Sequence, residues 1–577
     1  MNLLQDKIDV TRVPFSDRGS RLLVYKRLDE PALFVKLAER LIRVEPGIES
    51  YLRRPPFIDE LHFVDEAGDP LEFQIHTSPE MIRFQTRIGD FRLAFQDEET
   101  LAIGAPDHVT AGLRFRTRPT HWHAADSGGA IRNVRNVIWN VSNGRAKINR
   151  AQGGEDSHVV EFIVRTETDC SITLHIGDED FPPQSPFTVI QHNARARWEK
   201  WFERAPEVPE RWREKYAYAW WIMANNLVSP KGCVTREAMM PTKAFYVGAW
   251  LWDSALHAIA FRHVDPELAR DQIRVMLDNQ LPDGMLPDAI FDEGAVFEIG
   301  HPIHARVTKP PILAWAALKV HETDPNAGFL KEIYEPLKRE NAWWFEHNDD
   351  DRDGIVQYTH PYSSGLDDSP LWDQGMPVES PDINTYLVIQ MDSLAKVAEI
   401  LGRGAEADEW RARSRSLVNR MIEDLWDEEA GSFRALRDEK PIPVTTPFNL
   451  FPLWTGRLPG EIAQRLLARL KDPLEFWGAY GLPTVAYNDP AFSPDRMWRG
   501  PVWANVNYFL VEALQRIGER ELAVELRDKT LNLIASQPGI REYYNSLTGE
   551  PPATAAPIFG WTAAVFIDLA LQAGSTT

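Results

Sequence analysis

The sequence predicts two folding units of different class: an antiparallel β-sandwich domain over residues 1–185, and a mostly α-helical domain over residues 211–577. Two observations predict this division. From about residue 58 to 177 apolar side chains alternate with polar ones, the period of a strand with one buried face. From about residue 190 onward they recur every three or four positions, the period of an amphipathic helix. The interval 186–210 is predicted to be a linker.

The β prediction depends on short alternating runs that are separated by clusters of Gly, Asn and Asp. Three such runs are Met81–Ile88, Val159–Val164 and Ile172–Ile176. Many short strands with turn signals between them are typical of an antiparallel sandwich. The run Phe-Pro-Pro-Gln-Ser-Pro at 181–186 marks the change of pattern, because proline ends regular structure.

The helical prediction depends on apolar faces and on caps. Leu387, Met391 and Leu394 lie on one face of a helix for which Asp382 is the predicted N-cap, and Thr308 is the predicted cap of a helix that continues through the next prolines. About ten to twelve helices fit between residues 200 and 575. This number suits a closed helical toroid as well as a solenoid, and no fixed repeat period favours the solenoid.

Composition excludes several partners. A chain of 577 residues with a net charge of −22 repels nucleic-acid backbones and anionic membranes. Two cysteines are too few for a disulfide framework, and no apolar leader or membrane-spanning run occurs in the sequence, so we expect a soluble, cytoplasmic protein. The sequence does not indicate an oligomeric state or a role for the β domain.

Candidate chemistry lies in the loops between the predicted helices. Six loop clusters combine aromatic rings with carboxylate, amide or guanidinium groups, which suits a polyhydroxylated ligand such as a sugar. For one cluster alone, a helix end with caps and a packing tryptophan is an equal alternative, but six together favour a sugar site. The clusters are Gly248–Asp253, Asn279–Met285, Ser364–Asp373, Trp477–Gly481, Met497–Trp503 and Arg541–Asn545.

Two carboxyl groups are the candidates for glycosidic bond hydrolysis, which needs one neutral acid and one ionised carboxylate. Asp367 lies in a turn bounded by Gly365 and Pro370, and the adjacent charge of Asp368 favours its protonated form. Glu542 suits the base, because Arg541 adjoins it and a cation favours the ionised form.

The segments Trp250–Asp253, Gly365–Pro370, Trp498–Trp503 and Glu542–Asn545 resemble, in order, the motifs of glycoside hydrolase family 63. The resemblance covers roughly residues 210 to 570. It implies an (α/α)6 barrel and an inverting mechanism with Asp367 as general acid and Glu542 as general base, about 6.5–9.5 Å apart. It also implies sugar-binding roles for Trp252, Asp253, Gln280, Trp372, Trp498 and Arg499.

The resulting expectation is an inverting, exo-acting α-glycosidase, above all an α-glucosidase, that hydrolyses a small α-glucoside or α-mannoside. One alternative is a glycoside phosphorylase with a similar toroid, although a carboxylate at Glu542 would repel phosphate. Another is a non-catalytic carbohydrate-binding protein. No cofactor is expected, and the sequence does not identify the sugar.

One further signal concerns a metal. Asp349, Asp351 and Asp353 precede Gly354 in the pattern that begins a calcium loop, but His360 stands where an EF-hand has glutamate. A calcium site of another kind and a solvated turn are both open as explanations.

Overall fold

Period-two apolar residues in the first third of the chain form one continuous antiparallel sheet. The computed structural model describes residues 2–40, 55–117, 121–125, 128–132, 135–154, 157–177 and 185–575. Within them the sheet has twelve strands in the order β1-β2-β3-β8-β12-β7-β6-β5-β4, with β11, β10 and β9 joined to it through β12. The strands are β1 (Leu22–Lys26), β2 (Leu33–Leu37), β3 (Ile58–Asp65), β4 (Gln74–Ser78), β5 (Met81–Thr86), β6 (Gly89–Asp97), β7 (Thr100–Gly104), β8 (Thr110–Thr117), β9 (His121–Ala125), β10 (Gly128–Arg132), β11 (Asn136–Gly154) and β12 (Ser157–Gly177).

The sheet folds back on itself around an aromatic core. The rings of Phe63 in β3 and Phe91 in β6 stack with centroids 4.5 Å apart, although three strands separate β3 from β6 in the hydrogen-bonding order. Two regions of one sheet therefore face each other, in place of the two separate sheets of a sandwich. The antiparallel β class of the first domain is confirmed.

The interval predicted as a linker contains helix α1 (Phe187–Glu203). Its residues Phe187, Ile190 and Ala194 pack on Ala94 of β6 and Ala102 of β7. The chain divides into two compact units, of which the first comprises Met1–Ala205, Trp220–Ser229 and Lys243–Val247, and the second comprises Pro206–Ala219, Pro230–Thr242 and Gly248–Thr577. Residues 181–184 of the proline-rich run lie outside the described residues.

After α1 the described chain is mainly helical, as predicted. Two helix starts differ from the prediction: the helix Pro381–Ile400 has Ser380 as its N-cap, which puts Asp382 in the first turn, and the helix Leu313–Thr323 begins only after the two prolines. The helices are α2 (Arg213–Asn225), α3 (Leu251–Phe261), α4 (Pro266–Leu277), α5 (Leu313–Thr323), α6 (Ala327–His347), α7 (Pro381–Ile400), α8 (Gly404–Arg420), α9 (Gly460–Leu470), α10 (Ala504–Arg516), α11 (Arg520–Ser536) and α12 (Gly560–Ser575). None of the helices in the described ranges is both long and apolar enough to cross a membrane.

Short strands and 3-10 turns lie between the helices. The 3-10 turns Pro361–Ser364 and Pro370–Trp372 flank the loop that contains Asp367. The strands are β13 (Leu227–Val228), β14 (Ala238–Met239), β15 (Ala249–Trp250), β16 (Ala289–Phe291), β17 (Gly294–Val296), β18 (Glu298–Ile299), β19 (Ala305–Arg306), β20 (Gln357–Tyr358), β21 (Val378–Glu379), β22 (Trp426–Asp427), β23 (Ser432–Phe433), β24 (Leu436–Arg437) and β25 (Lys440–Pro441).

Candidate active site

The loop between the two 3-10 turns, residues 365–369, is fixed at both ends, and we refer to it as the acid loop. Gly365 ends the first turn with φ of 75°, a left-handed conformation that glycine adopts at little cost. Leu366 N–H donates to Ser364 Oγ at 2.9 Å, and Leu366 carbonyl accepts from the indole Nε1 of Trp372 at 2.7 Å. These local bonds fix the backbone on both sides of Asp367.

Asp367 is partly exposed, yet protein surrounds its carboxyl group. Burial raises the pKa of Asp367 to about 7, the ammonium of Lys309 opposes this shift, and the charges of Asp288 and Asp368 add to it. A carboxyl group that keeps its proton near neutral pH and remains accessible can donate that proton to a leaving oxygen.

The side chain of Asp368 ties the acid loop to a neighbouring segment. Its Oδ1 accepts the backbone N–H of Trp498 at 2.8 Å, and its Oδ2 accepts from the guanidinium of Arg496 at 3.2 Å. The two consecutive aspartates therefore have different surroundings: protein encloses the carboxyl group of Asp367, whereas Asp368 ties the acid loop to the segment around Trp498.

Two other predicted sugar-binding residues have structural partners at this loop. Trp372 is buried, and its indole holds the Leu366 carbonyl. Arg499 forms a two-point ion pair with Asp373, in which one N–H donates at 2.9 Å. Trp372 and Arg499 both lie at the acid loop, and their contacts with sugar stay predictions.

Trp252 and Asp253 lie in the first turn of helix α3, and Trp252 lies against the acid loop. A Cβ added to Gly365 would lie only 2.2 Å from the Trp252 ring, so the loop backbone lies on this indole. Burial is the main cause that raises the pKa of Asp253 well above its usual range; Lys309 opposes the shift, whereas Glu542 and Asp288 increase it. The structure therefore groups Asp253 with both loops that carry the catalytic candidates.

Aromatic rings connect these segments. Trp252 packs on Trp498 with centroids 6.1 Å apart and edge-on against Trp561 at 5.0 Å. Trp498 stacks on Trp503 at 3.7 Å, and Trp503 stacks on Tyr543 at 4.8 Å. All four tryptophans are buried, so they pack the segments of the site against one another, and the contacts of Trp252 and Trp498 with sugar stay predictions. Trp503 and Trp561 were not among the predicted site residues.

Glu542 lies at a bend in a segment that is anchored on both sides. Its N–H donates to the Ala556 carbonyl at 3.0 Å, and its carboxylate accepts the Ala556 N–H at 3.1 Å. Tyr544 exchanges two backbone hydrogen bonds with Val502 at 2.7 and 3.0 Å, which joins this segment to Trp503. Glu542 is only 3% exposed. The adjacent Arg541 donates to the Ala555 carbonyl at 3.3 Å.

A buried ion pair between Lys309 and Asp288 was missed by sequence reasoning. The two residues are 5% and 4% exposed and are in direct contact through Nζ and Oδ1. The sequence places Lys309 only at a predicted helix start, and no local pattern marks either residue as part of a site.

Gln280 is the predicted site residue whose side chain is engaged elsewhere. Its amide donates to the carbonyls of Gly284 and Pro336, each at 2.9 Å, and its oxygen accepts from Arg339 at 2.7 Å. These bonds fold the loop after α4 back on itself. They link Gln280 to helix α6, and its predicted contact with sugar stays a prediction.

The three aspartates of the candidate calcium loop lie close together, and they precede the acid loop in sequence. Carboxylate oxygens of Asp349, Asp351 and Asp353 lie within 4.8 Å of one another. Burial, followed by the charges of this cluster and of Asp424, raises the pKa of the nearby Glu379 to about 7. Hard oxygen donors in this number suit calcium, but Asp349 and Asp353 also accept backbone N–H groups within their own turn.

Comparison with known proteins identifies the family. Residues 246–562 match the model of the mannosylglycerate hydrolase MGH1-like glycoside hydrolase domain. The chain is 30% identical over 404 residues to the mannosylglycerate hydrolase of Thermus thermophilus, covering 56% of this chain and 95% of that one. It is 25% identical over 416 residues to the glucosylglycerate hydrolase of Mycolicibacterium hassiacum, covering 56% and 92%.

A solved structure agrees with these matches. A GH63 mannosylglycerate hydrolase from Thermus thermophilus, in complex with glucose, superposes with a TM-score of 0.53 at 26% identity, over 61% of this chain and 99% of that chain. The matched region contains the acid loop, the Lys309–Asp288 pair and Glu542. Since the family model covers more than half of the sequence, the chain belongs to the MGH1-like members of glycoside hydrolase family 63 and is a glycoside hydrolase.

Proposed function

We propose that this enzyme is an inverting, exo-acting α-glycosidase that hydrolyses a small α-glucoside or α-mannoside, with Asp367 as general acid and Glu542 as general base. The observation that carries the proposal is the carboxyl group of Asp367, whose pKa burial raises to about 7. A second carboxyl group, Glu542, is anchored on a separate segment and acts electrostatically on Asp253. Inversion needs one protonated and one ionised carboxyl group, and we assign the second role to Glu542.

The fold proposed for residues 211–577 is an (α/α)6 barrel. Helices α2 to α12 supply eleven of the twelve helices that such a barrel contains, counted over the described residues. Loops at one end of a barrel converge, which accounts for the proximity of segments around Trp252, Asp367, Trp498 and Glu542. The support is the arrangement of these loops together with the family membership.

The substrate proposal is supported by the relatives. Proteins similar to this chain are named for hydrolysis of mannosylglycerate and of glucosylglycerate, and one related structure holds glucose. Trp252, Asp253 and Trp498 are the residues that we propose to contact the sugar. The proposed reaction uses carboxyl groups alone, and calcium at Asp349, Asp351 and Asp353 stays a prediction, as does a cytoplasmic location.

The test is a panel of α-linked substrates: mannosylglycerate, glucosylglycerate, trehalose and kojibiose, with the first anomer released followed by proton NMR. We expect hydrolysis of at least one of them with release of the β-anomer. Release of the α-anomer would show retention and exclude Glu542 as the base for water. Turnover that depends on inorganic phosphate and yields a sugar phosphate would instead establish a phosphorylase.

Variants separate the two roles. Asp367→Asn and Glu542→Gln are each expected to lower kcat by about 10²–10⁴-fold, the usual contribution of a positioned acid or base. Binding of the sugar product, measured by calorimetry, should survive both changes. Full activity in either variant would remove that residue from the mechanism, and full activity in both would overturn the proposed function.

A further inference from the structure

The ammonium group of Lys309 lies where three parts of the proposed site meet. It donates to Asp288 Oδ1 and to the backbone carbonyl of Tyr362, in the 3-10 turn that leads into the acid loop. The neighbouring Thr308 N–H lies 3.4 Å from Ser363 Oγ of the same turn. The segment before α5 is therefore attached to the base of the acid loop at two points.

Asp288 connects the same ammonium group to the Trp250–Asp253 segment. Its backbone carbonyl accepts the Leu251 N–H at 3.2 Å, and its side chain bonds to Trp250. Trp250 and Ala289 are direct partners in the β15–β16 pair. One ion pair thus joins the start of α3, which carries Trp252 and Asp253, to the turn that carries Asp367.

Both side chains of the ion pair are buried, so water screens their charges only weakly. Lysine and aspartate are rarely buried unless they are paired, and charges act over longer range where water is excluded. Three charged groups act on the Asp367 carboxyl: Lys309 favours its ionised form, while Asp288 and Asp368 favour its protonated form. The other charged groups around them are Arg496 and Arg499 beside Asp368, and Asp253 and Glu542 near the ion pair.

We propose that Lys309 and Asp288 are positioning residues for the reaction: as an ion pair they hold the acid loop against the Trp250–Asp253 segment, and they set the electrostatic potential at the Asp367 carboxyl. This inference rests on the proposed role of Asp367 as general acid. It assigns a function to a lysine and an aspartate that neither donate nor accept the catalytic proton.

The test uses charge removal from each side of the pair. Asp367 acts while protonated, so its titration sets the alkaline limb of the pH profile of kcat/KM. Lys309→Met removes the positive charge and should move this limb up by roughly one pH unit, whereas Asp288→Asn removes the negative charge and should move it down by a similar amount. The double variant, which lacks both charges, should return the limb to within about 0.3 units of the wild type.

Two controls separate electrostatics from damage to the fold. Lys309→Arg keeps the charge, so its limb should stay near that of the wild type even if kcat falls. Lys319→Met removes a cation from another partly buried pair, with Glu512, that joins α5 to α10, and should leave the limb unchanged. Opposite shifts from the two single variants support the proposal. Shifts of the same sign, or no shift in folded variants, would overturn it.

A readout without turnover keeps the two proposals distinguishable. The folded-state pKa of Asp367 is also obtained from the pH at which, as pH rises, the difference in thermal midpoint between each protein and the same protein carrying Asp367→Asn stops changing. Opposite displacements of that pH in Lys309→Met and Asp288→Asn support the ion-pair effect even if the panel of glycosides shows no hydrolysis. Unchanged activity in Asp367→Asn itself counts against the proposed function instead.

Discussion

At the scale of single residues, the environment of one carboxyl group predicts how activity depends on pH. Burial raises the pKa of Asp367 to about 7, and a general acid is active only while protonated. We therefore expect kcat/KM of the wild-type enzyme to fall as pH rises through about 7. The measurement is a profile from pH 4 to 9 with the substrate found in the panel. A limb below pH 5 or above pH 9 would contradict the assignment of Asp367.

The neighbouring Asp368 provides a second prediction. Asp368→Asn removes a charge that favours protonation of Asp367, and it places an amide N–H₂ group toward Arg496 where a carboxylate accepted a hydrogen bond. We expect kcat to fall about tenfold, the size of one charged hydrogen bond, and the alkaline limb to move to lower pH.

The matched control for Asp368→Asn is Asp373→Asn. Asp373 is 53% exposed in its pair with Arg499, and exposed pairs contribute little. A limb that moves upward in Asp368→Asn, or equal effects of the two variants on kcat, would count against the bracing role of Asp368.

At this scale the sequence predicts a functional residue only where its neighbours in the sequence mark it. The acid loop was located because Gly365 and Pro370 bound it within a few positions, and the segment of Glu542 because aromatic residues follow it directly. Lys309 and Asp288 could not be found in the same way. They are identified by their burial and by contacts with Tyr362 and Trp250, which are distant in the sequence and so leave no local pattern.

At the scale of elements, periodicity predicted the class of structure better than its boundaries. The runs Val159–Val164 and Ile172–Ile176 were interpreted as two strands, yet both belong to β12. The pairing with β11 shifts register between them, and Asp169 has φ of 61°, so the alternation breaks while the strand continues. Helix α5 starts only at Leu313, after the two prolines, and Thr308 and Lys309 contact the turn that leads into the acid loop.

The acid loop also supports a prediction about one glycine. Gly365→Ala adds a Cβ that would lie 2.2 Å from the Trp252 ring, at a position with φ of 75°. The alanine variant must displace either the loop or the indole, and a displacement near 1 Å at a catalytic group lowers kcat by about 100-fold. Steady-state kinetics and a thermal midpoint measure the two consequences.

The control for Gly365→Ala is an alanine substitution at another glycine with positive φ, where the added Cβ meets no neighbouring atom. Gly402, just after α7, has φ of 73°, and no atom lies within 4 Å of an added Cβ. Gly402→Ala should cost about 1 kcal/mol of unfolding free energy and leave kcat unchanged. If Gly365→Ala is equally active and loses only the same stability, the acid loop does not depend on its contact with Trp252.

At the scale of the whole molecule, a buried carboxyl group between two helices links stability to pH. Glu340 of α6 is 1% exposed and accepts a hydrogen bond from Gln390 of α7 at 2.8 Å. In the described part of the chain its other oxygen has no hydrogen-bond partner. Burial raises the pKa of Glu340 to about 8, so the folded enzyme holds this group protonated at neutral pH, where the unfolded chain ionises it.

The sign of the effect follows from proton linkage. Because the pKa of Glu340 is higher in the folded state, its contribution to stability is fully present below about pH 4.5 and is lost as pH rises to about 8. Glu340→Gln keeps the shape and the hydrogen bond to Gln390 without a titrating group. We expect the variant to match the wild type at pH 4.5 and to exceed its unfolding free energy by up to about 3 kcal/mol at pH 7.

Urea unfolding at 25 °C across this pH range measures the difference, and the same helix offers a control of opposite sign. Glu335 of α6 is exposed and paired with Arg403 and Lys338, and these partners lower its pKa despite the opposing effect of partial burial. Its stabilising contribution is therefore present above its unfolded pKa, so Glu335→Gln should lower stability slightly at pH 7 and not at pH 3. A Glu340→Gln variant less stable than the wild type at pH 8 would show that the Glu340 carboxyl is ionised in the folded enzyme and compensated by its surroundings.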